Sequence, residues 1–298
     1  HDSIVKAGYK VNHGAPVMSG YEPWRIALKS MVDPVTKMDN IILRECVENF
    51  TNDILSSLPA EELRKVHVYD DVTAINGAVG VTYVDKINRS TSAGLPWRKS
   101  KKHFLTAIAP INGLMDPVEV DDEIMNRVDK CIERYEEGKR YCPNFCAHLK
   151  DEPTVFRKID AKKTRVFTGA PFDWSIVVRK YLLSTIRIIQ GNRFIFESAP
   201  GTIAQSTEWQ DIYKYLVAHV KDRIVAGDYA AFDKRMSSTM IYAAFDVLIN
   251  ICKKAGYTDK ELLVVKGIAA DTAFPLVDFN GDLIQFYGSN PSGHPLTV

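Results

Sequence analysis

The sequence predicts an α+β protein, and three features carry that prediction. Asp122 to Tyr135 places Ile124, Val128, Cys131, Ile132 and Tyr135 at helical spacing and reaches a stop at Gly138. Two further helices are punctuated at their starts: Ser237 or Ser238 opens one that presents Ile241, Phe245, Leu248, Ile249 and Cys252 and stops at Gly256, and Thr258 with Glu261 forms a capping box for one to about Ala270. Asn280-Gly281 between Leu276-Val277-Asp278-Phe279 and Asp282-Leu283-Ile284-Gln285-Phe286 is the signal of a type I′ hairpin.

In chain order, residues 1 to about 70 read as short helical and irregular pieces with no assignable chemistry. Val72 to Pro96 is rich in Gly, Val and Thr and reads as strand and loop, ending in the turn Ser90-Thr91-Ser92-Ala93-Gly94. Thr207 with Gln210 forms a capping-box start for a helix through about Val220. That helix hands the chain to a strand, Arg223-Ile224-Val225-Ala226-Gly227, which delivers Asp228 and Asp233 near its end. No repeat, low-complexity tract or flexible linker interrupts the chain, so it reads as one interlocked unit.

With 298 residues, 46% of them hydrophobic and 25% charged, the chain can bury one large core or two domains. No apolar run approaches the ~20 residues of a membrane helix and no basic-then-apolar leader stands at the start, so the expectation is a soluble, cytosolic protein without direct membrane insertion. The formal charge is only +1, so nucleic-acid binding has to come from local clusters. Two exist: Arg98, Lys99, Lys101, Lys102 and His103, and Arg157, Lys158, Lys162, Lys163 and Arg165. Five cysteines without a framework spacing suit a reducing compartment. Cys142, Cys146 and His148 supply three zinc-type ligands without a fourth at a standard spacing, and buried or free thiols fit them better.

The chemistry is concentrated in Asp228-Tyr229-Ala230-Ala231-Phe232-Asp233. Carboxylate and carbonyl oxygens are the donors a small hard cation takes, and Mg²⁺ is usually held by one or two carboxylates plus substrate phosphates. On its own an Asp-x₄-Asp spacing is weak; three other segments reverse that.

Arg89-Ser90-Thr91-Ser92-Ala93-Gly94-Leu95-Pro96-Trp97 resembles the motif at which template RNA passes into picornavirus-like RNA-dependent RNA polymerases (motif G). Lys150-Asp151-Glu152-Pro153 with Lys162-Lys163-Thr164-Arg165-Val166-Phe167 resembles their basic finger motif F, the Asp228 hexapeptide motif A, and Asn290-Pro291-Ser292-Gly293-His294-Pro295-Leu296-Thr297 motif B. The four stand in the family's order, and their wording is most similar to the order containing picornaviruses, dicistroviruses, iflaviruses and marine viruses of unicellular algae. The resemblance implies a right-hand polymerase fold: fingers over 1–185, the first part of the palm over 186–236, helices and a hairpin returning to the fingers over 237–288, and the start of motif B over 289–298.

It also implies residue roles. Asp228, with the Tyr229 backbone carbonyl, would hold Mg²⁺ (or Mn²⁺) for a two-metal nucleotidyl transfer. Asp233 would accept the 2′-hydroxyl of the incoming nucleotide, directly or through Ser292 and Thr297 in the loop that Gly293 makes flexible. Lys150 and Arg165 would face the triphosphate, with Lys158, Lys162 and Lys163 beside them and Glu152 buttressing Arg165. Thr91, Ser92 and Gly94 would offer hydroxyl and N–H groups to template phosphates. The implied partners are an RNA template and primer, nucleoside triphosphates and other viral replication proteins, in a replication complex in the host cytoplasm.

One departure stands out. The family's motif C, a Gly-Asp-Asp turn, does not occur in the chain; the other Gly-Asp pair, Gly281-Asp282, lies in the hairpin. The expectation is a piece of a polyprotein holding fingers and partial palm, inactive by itself. A reverse transcriptase is disfavoured because Asp233 stands where a bulky side chain would exclude the 2′-hydroxyl. A non-catalytic RNA-binding module is the reading from another class. No phosphate-binding Gly-x₄-Gly-Lys-Ser/Thr loop, Gly-x-Gly-x-x-Gly, His-Glu-x-x-His or Gly-x-Ser-x-Gly occurs.

Overall fold

The computed structural model describes residues 2–32, 38–218 and 223–296. The first part of the chain is mostly helical: α1 (Asp2–Lys6), the strand β1 (His13–Gly14), α2 (Glu22–Val32), α3 (Asn40–Ser57), α4 (Ala60–Leu63) and α5 (Asp71–Asn76). α3, with 18 residues, is longer than the short pieces expected there. Its start is closed by the Asp39 carboxylate, which accepts from the Ile41 and Ile42 N–H groups. α5 overturns the strand reading from Val72. The Asp70 carboxylate accepts from Thr73 N–H, and Ala74, Ile75 and Asn76 are buried. Gly77, at φ +72°, then ends the helix where a Cβ would lie 2.4 Å from the Val84 carbonyl oxygen. A cap and an inward face outweigh a strand-like composition.

A 3₁₀ turn over Lys101–Phe104 leads to the antiparallel pair β2 (Leu105–Ala107) and β3 (Val118–Val120), then to α6 (Asp122–Glu136). Ile124, Val128, Cys131 and Tyr135 of α6 are fully buried and Gly138 follows at φ +72°, as the spacing predicts. Next come β4 (Asn144–Leu149), β5 (Thr154–Val155), α7 (Phe156–Asp160), β6 (Val166–Gly169) and α8 (Phe172–Gly191). α8 is buried on nearly every face, so its inward polar groups need partners. They have them: the Ser184 hydroxyl donates to His67 O and accepts from His67 N–H, and Asp173 takes Arg127 Nε and the Tyr141 hydroxyl at 2.8 Å each.

After α8 come α9 (Glu208–Val217), α10 (Phe232–Arg235), α11 (Ser238–Ala255), α12 (Asp259–Ala273) and the hairpin β7 (Leu276–Phe279) and β8 (Asp282–Gln285). The capping box expected at Thr207 does not form. Thr207 already has helical φ and ψ (−70°, −8°), which takes its side chain away from the cap position, and Glu208 instead accepts from Ile203 N–H and the Ser206 hydroxyl. The helix end expected near Val220 lies outside the described residues. α11 and α12 match expectation: Ser237 caps Met240 N–H, Gly256 stops α11 at φ +101°, and Thr258 and Glu261 exchange both bonds of the capping box. The hairpin turns at Asn280 and Gly281, both at positive φ (58° and 96°), which is the type I′ requirement.

The main sheet runs β6-β4-β7-β8, with β4 antiparallel to β6 and parallel to β7. Elements more than a hundred residues apart thus share one surface. Beneath it α6, α8, α11 and α12 enclose Trp174, Tyr135, Phe145, Phe172 and Ile268. Gly267 of α12 lets the Tyr135 ring pack against helix backbone: a Cβ there would fall 2.1 Å from Tyr135 Cδ1.

Candidate active site

Motif F is built on a strand pair and a turn. β4 ends at Leu149, and Lys150 N–H donates to Arg165 O at 2.8 Å, so these two residues face each other where the strands part. Between them the chain makes the short strand β5, which pairs with β1, then α7 and a turn with Lys162 at φ +50°. Glu152 bridges the pair, with Oε2 2.9 Å from Lys150 Nζ and Oε1 3.0 Å from Arg165 Nη1. These contacts hold the Glu152 carboxyl below its usual range, chiefly through the bond from Lys150. The buttressing role expected of Glu152 is present, and it reaches Lys150 as well. Lys158, Lys162 and Lys163 lie exposed along α7 and its turn.

Motif B is bonded onto the same strand. Gly293 N–H donates to Thr168 O at 2.7 Å, and a Cβ on Gly293 would sit 2.4 Å from that oxygen. Ser292 Oγ accepts from Thr168 N–H at 3.2 Å. The Ser292 hydroxyl is therefore engaged with Thr168 and does not bridge to Asp233, as the sequence reading allowed; it keeps its own O–H for donation. Thr297 lies outside the described residues.

Motif A departs most from expectation. Residues 223–229 form no strand, because no described segment offers them a ladder, and lone extended backbone bonds to water instead. Val225 is 95% exposed and Tyr229 79%. Ala231 takes the left-handed conformation at φ 52°, turns the chain and starts α10, and Tyr229 and Phe232 pack ring to ring at 5.4 Å across that turn. Asp228 is exposed; Asp233, at the start of α10, is half-buried. α10 is pinned from behind, since Ser289 N–H donates to Met236 O and Gly288, at φ +95°, would place a Cβ 2.4 Å from the same oxygen.

Lys234 is a residue that sequence reasoning missed. Its ammonium is held below the usual lysine range, by burial first, with Arg165 and Lys163 pushing the same way and Asp233 opposing them. The charges of the motif F residues Arg165 and Lys163 thus reach Lys234, which follows Asp233 directly in the chain. Nothing in the Asp-Lys dipeptide signals this, because it depends on where α10 lands.

Motif G folds back on itself. Ala93 N–H donates to Lys99 O and Phe172 N–H to Ala93 O, so the turn is tied to the start of α8. Gly94 is buried and its N–H goes to Ser92 Oγ at 3.0 Å, so that group is not free for a phosphate. The Thr91 hydroxyl donates to Asn88 O and accepts from Lys101 Nζ at 2.7 Å. Burial, then the charge of Arg179, pulls the Lys101 ammonium down to about 8. Ser92 and Gly94 line a cavity of about 600 Å³ with Trp24, His148 and the 2.5 Å ion pair of Arg98 and Asp278.

For a metal, the oxygen chemistry fits: Asp228 is an exposed carboxylate engaged in no ion pair among the described residues, next to the Tyr229 carbonyl. Among the described residues no group of three His, Cys, Asp or Glu side chains could hold an ion, so substrate phosphates and further carboxylates would have to complete the shell. The same holds for zinc at Cys142, Cys146 and His148: Cys142 is exposed, Cys146 buried, and all five thiols are free.

The model of the family described as Viral RNA-dependent RNA polymerase matches residues 5–298. The chain is 29% identical to the replicase polyprotein of acute bee paralysis virus over 238 residues, which is 80% of this chain and 12% of that polyprotein. It is also 29% identical to the RNA1 polyprotein of Andean potato mottle virus over 304 residues, 94% of this chain and 38% of the other. Among solved structures, the Sicinivirus 3Dpol RNA dependent RNA polymerase shares the fold, with a TM-score of 0.77 at 18% identity over 97% of this chain and 57% of that one. The chain thus spans less than two thirds of each of these relatives. It belongs to the viral RNA-dependent RNA polymerase family, with replicase polyproteins of picornavirus-like viruses among its relatives.

Proposed function

We propose that this chain forms the fingers and the first part of the palm of a polymerase that copies an RNA template into RNA during viral genome replication. The observation that carries the reading is that motifs F and B share the strand β6: Lys150 and Arg165 are held together by Glu152 just before it and Ser292-Gly293 is bonded to Thr168 within it, while the charge of Arg165 reaches Lys234 of motif A. Lys150, Arg165 and Lys234, with Lys158, Lys162 and Lys163 nearby, take the triphosphate, where an Arg fork and Lys point charges stabilise the leaving pyrophosphate. Asp233 accepts the 2′-hydroxyl, and leaving that acceptor unpaired with a deoxyribose costs ~1–3 kcal/mol. Ser92 and Lys101 take template phosphates, which positions RNA without reading its sequence.

Asp228 and the Tyr229 carbonyl would hold Mg²⁺ (or Mn²⁺), which offsets charge on the phosphoryl oxygens during an in-line displacement. The chain carries no Gly-Asp-Asp turn, so synthesis is assigned to the polymerase that contains it, working with template, primer and other viral replication proteins in the host cytoplasm. Residues 1–298 alone fit the second reading, weak RNA binding through the basic segments, because among the described residues no group of three His, Cys, Asp or Glu side chains could hold an ion. Among the described residues no helix is long and apolar enough to cross a membrane.

Asp228→Asn in the full polymerase tests the reading, with primer extension and filter binding measured together. The expected result is loss of extension with RNA binding kept; extension within about tenfold of the parent would remove Asp228 from the metal site.

A further inference from the structure

His294 is the buried histidine of motif B. Its ring is 4% exposed and meets the Trp174 indole edge-on at 4.9 Å and 86°. The Trp174 Nε1–H donates to the Tyr135 hydroxyl at 2.8 Å, which donates to Asp271 Oδ2 at 2.6 Å. Both imidazole nitrogens are engaged. Leu296 N–H donates to Nδ1 at 3.0 Å, so Nδ1 carries no proton, and Nε2 lies 2.9 Å from Thr272 Oγ1. Since the Thr272 hydroxyl donates to Ile268 O at 2.7 Å, it accepts from Nε2–H. The set of donors leaves one tautomer. Burial keeps the ring neutral, pulling it down to about 3.

We propose that His294 is a positioning residue for nucleotide selection: its neutral Nε2–H imidazole clamps the Pro291–Leu296 turn to α12 and α8 and so holds Ser292 and Gly293 in register against β6. The polar side chain makes the loop's register depend on three elements at once. His294 N–H also donates to Pro291 O at 2.9 Å, closing the turn from its other side. A hydrophobic residue of similar volume would fill the space but satisfy neither Leu296 N–H nor Thr272. The inference rests on the polymerase reading of Ser292 and Gly293 given above.

The test compares ATP and dATP incorporation by the full polymerase carrying His294→Ala, His294→Asn or Ser292→Ala, with thermal midpoints measured on the same samples. The expected result is a preference for ATP lowered about threefold to tenfold by His294→Ala, the range set by one or two hydrogen bonds. His294→Asn should recover most of it, because an Asn side chain bonds the N–H two residues on as Nδ1 does here. If His294→Ala lowers the midpoint but leaves the ratio unchanged while Ser292→Ala changes it, His294 is structural and the proposal falls. If neither variant changes the ratio, the polymerase reading of motif B falls instead. Should His294→Ala not fold, ¹⁵N NMR of the 298-residue chain between pH 5 and 8 decides. A neutral Nε2–H ring at every pH supports the clamp; a charged or Nδ1–H ring overturns it.

Discussion

Thr168 and Ser292 exchange hydrogen bonds across the join between motif F and motif B: Thr168 N–H donates to Ser292 Oγ at 3.2 Å, and Ser292 N–H donates to Thr168 Oγ1 at 3.1 Å. With Gly293 N–H on Thr168 O, this makes β6 and the motif B turn one unit. If Arg165 and Ser292 bind nucleotide as proposed, a shift at Arg165 is thereby felt at Ser292.

Thr168→Val keeps the volume of that side chain and removes its oxygen. Ser292 N–H then loses its partner at a cost of ~1–3 kcal/mol. The expected outcome in the full polymerase is a several-fold rise in KM for nucleotides and a weaker preference for ribose over deoxyribose. Steady-state kinetics with ATP and dATP checks it, and an unchanged KM would show that the unit is not coupled.

Glu152→Gln separates orientation from charge. Exposed ion pairs contribute ~0–1 kcal/mol, so the thermal midpoint should hardly move. Lys150 and Arg165 lose the group that fixes their geometry, and the predicted result is a higher KM for nucleotides with stronger, more salt-dependent RNA binding. A lower KM would mean that Glu152 competes with the triphosphate instead of orienting its ligands.

Gly267→Ala should destabilise the chain although alanine is the better helix former. The gain in propensity is at most ~1 kcal/mol. Against it, the new Cβ would need to share space with a buried Tyr135 ring 2.1 Å away, and overpacking of that kind costs ~1–3 kcal/mol. Thermal denaturation is expected to show a midpoint lower by several degrees; an equal or higher midpoint would place the ring elsewhere.

The Lys101 ammonium gives a pH signature. Folding lowers its pKa from ~10.4 to about 8, so between these values the unfolded chain binds more protons and stability rises with pH. Below about pH 8 the buried charge opposes folding. Relative to Lys101→Met, the parent chain should therefore gain thermal stability as pH rises from about 8 to about 10. Parallel curves over that range would show Lys101 to be fully solvated.

Features that depend on neighbours within a few residues were legible in the chain alone. The capping box of Thr258 and Glu261, the Gly256 stop, the apolar stripe of α6 and the Asn280-Gly281 turn are all local, and each stands where spacing put it. The four motifs were legible because chemistry had fixed residue types such as Lys150, Asp228 and Ser292 in words that need no fold to read. Tertiary structure decided the rest. Ser292 turned to Thr168 because β6, 124 residues earlier, runs beside it. Lys234 came under the charges of Arg165 and Lys163 through the fold, after Ala231 turns the chain left-handed into α10, and residues 223–229 pair with no described strand because a strand needs a ladder that no local pattern can supply. Hydrogen-bond partners distant in sequence leave no periodicity behind, so only the folded chain could name them.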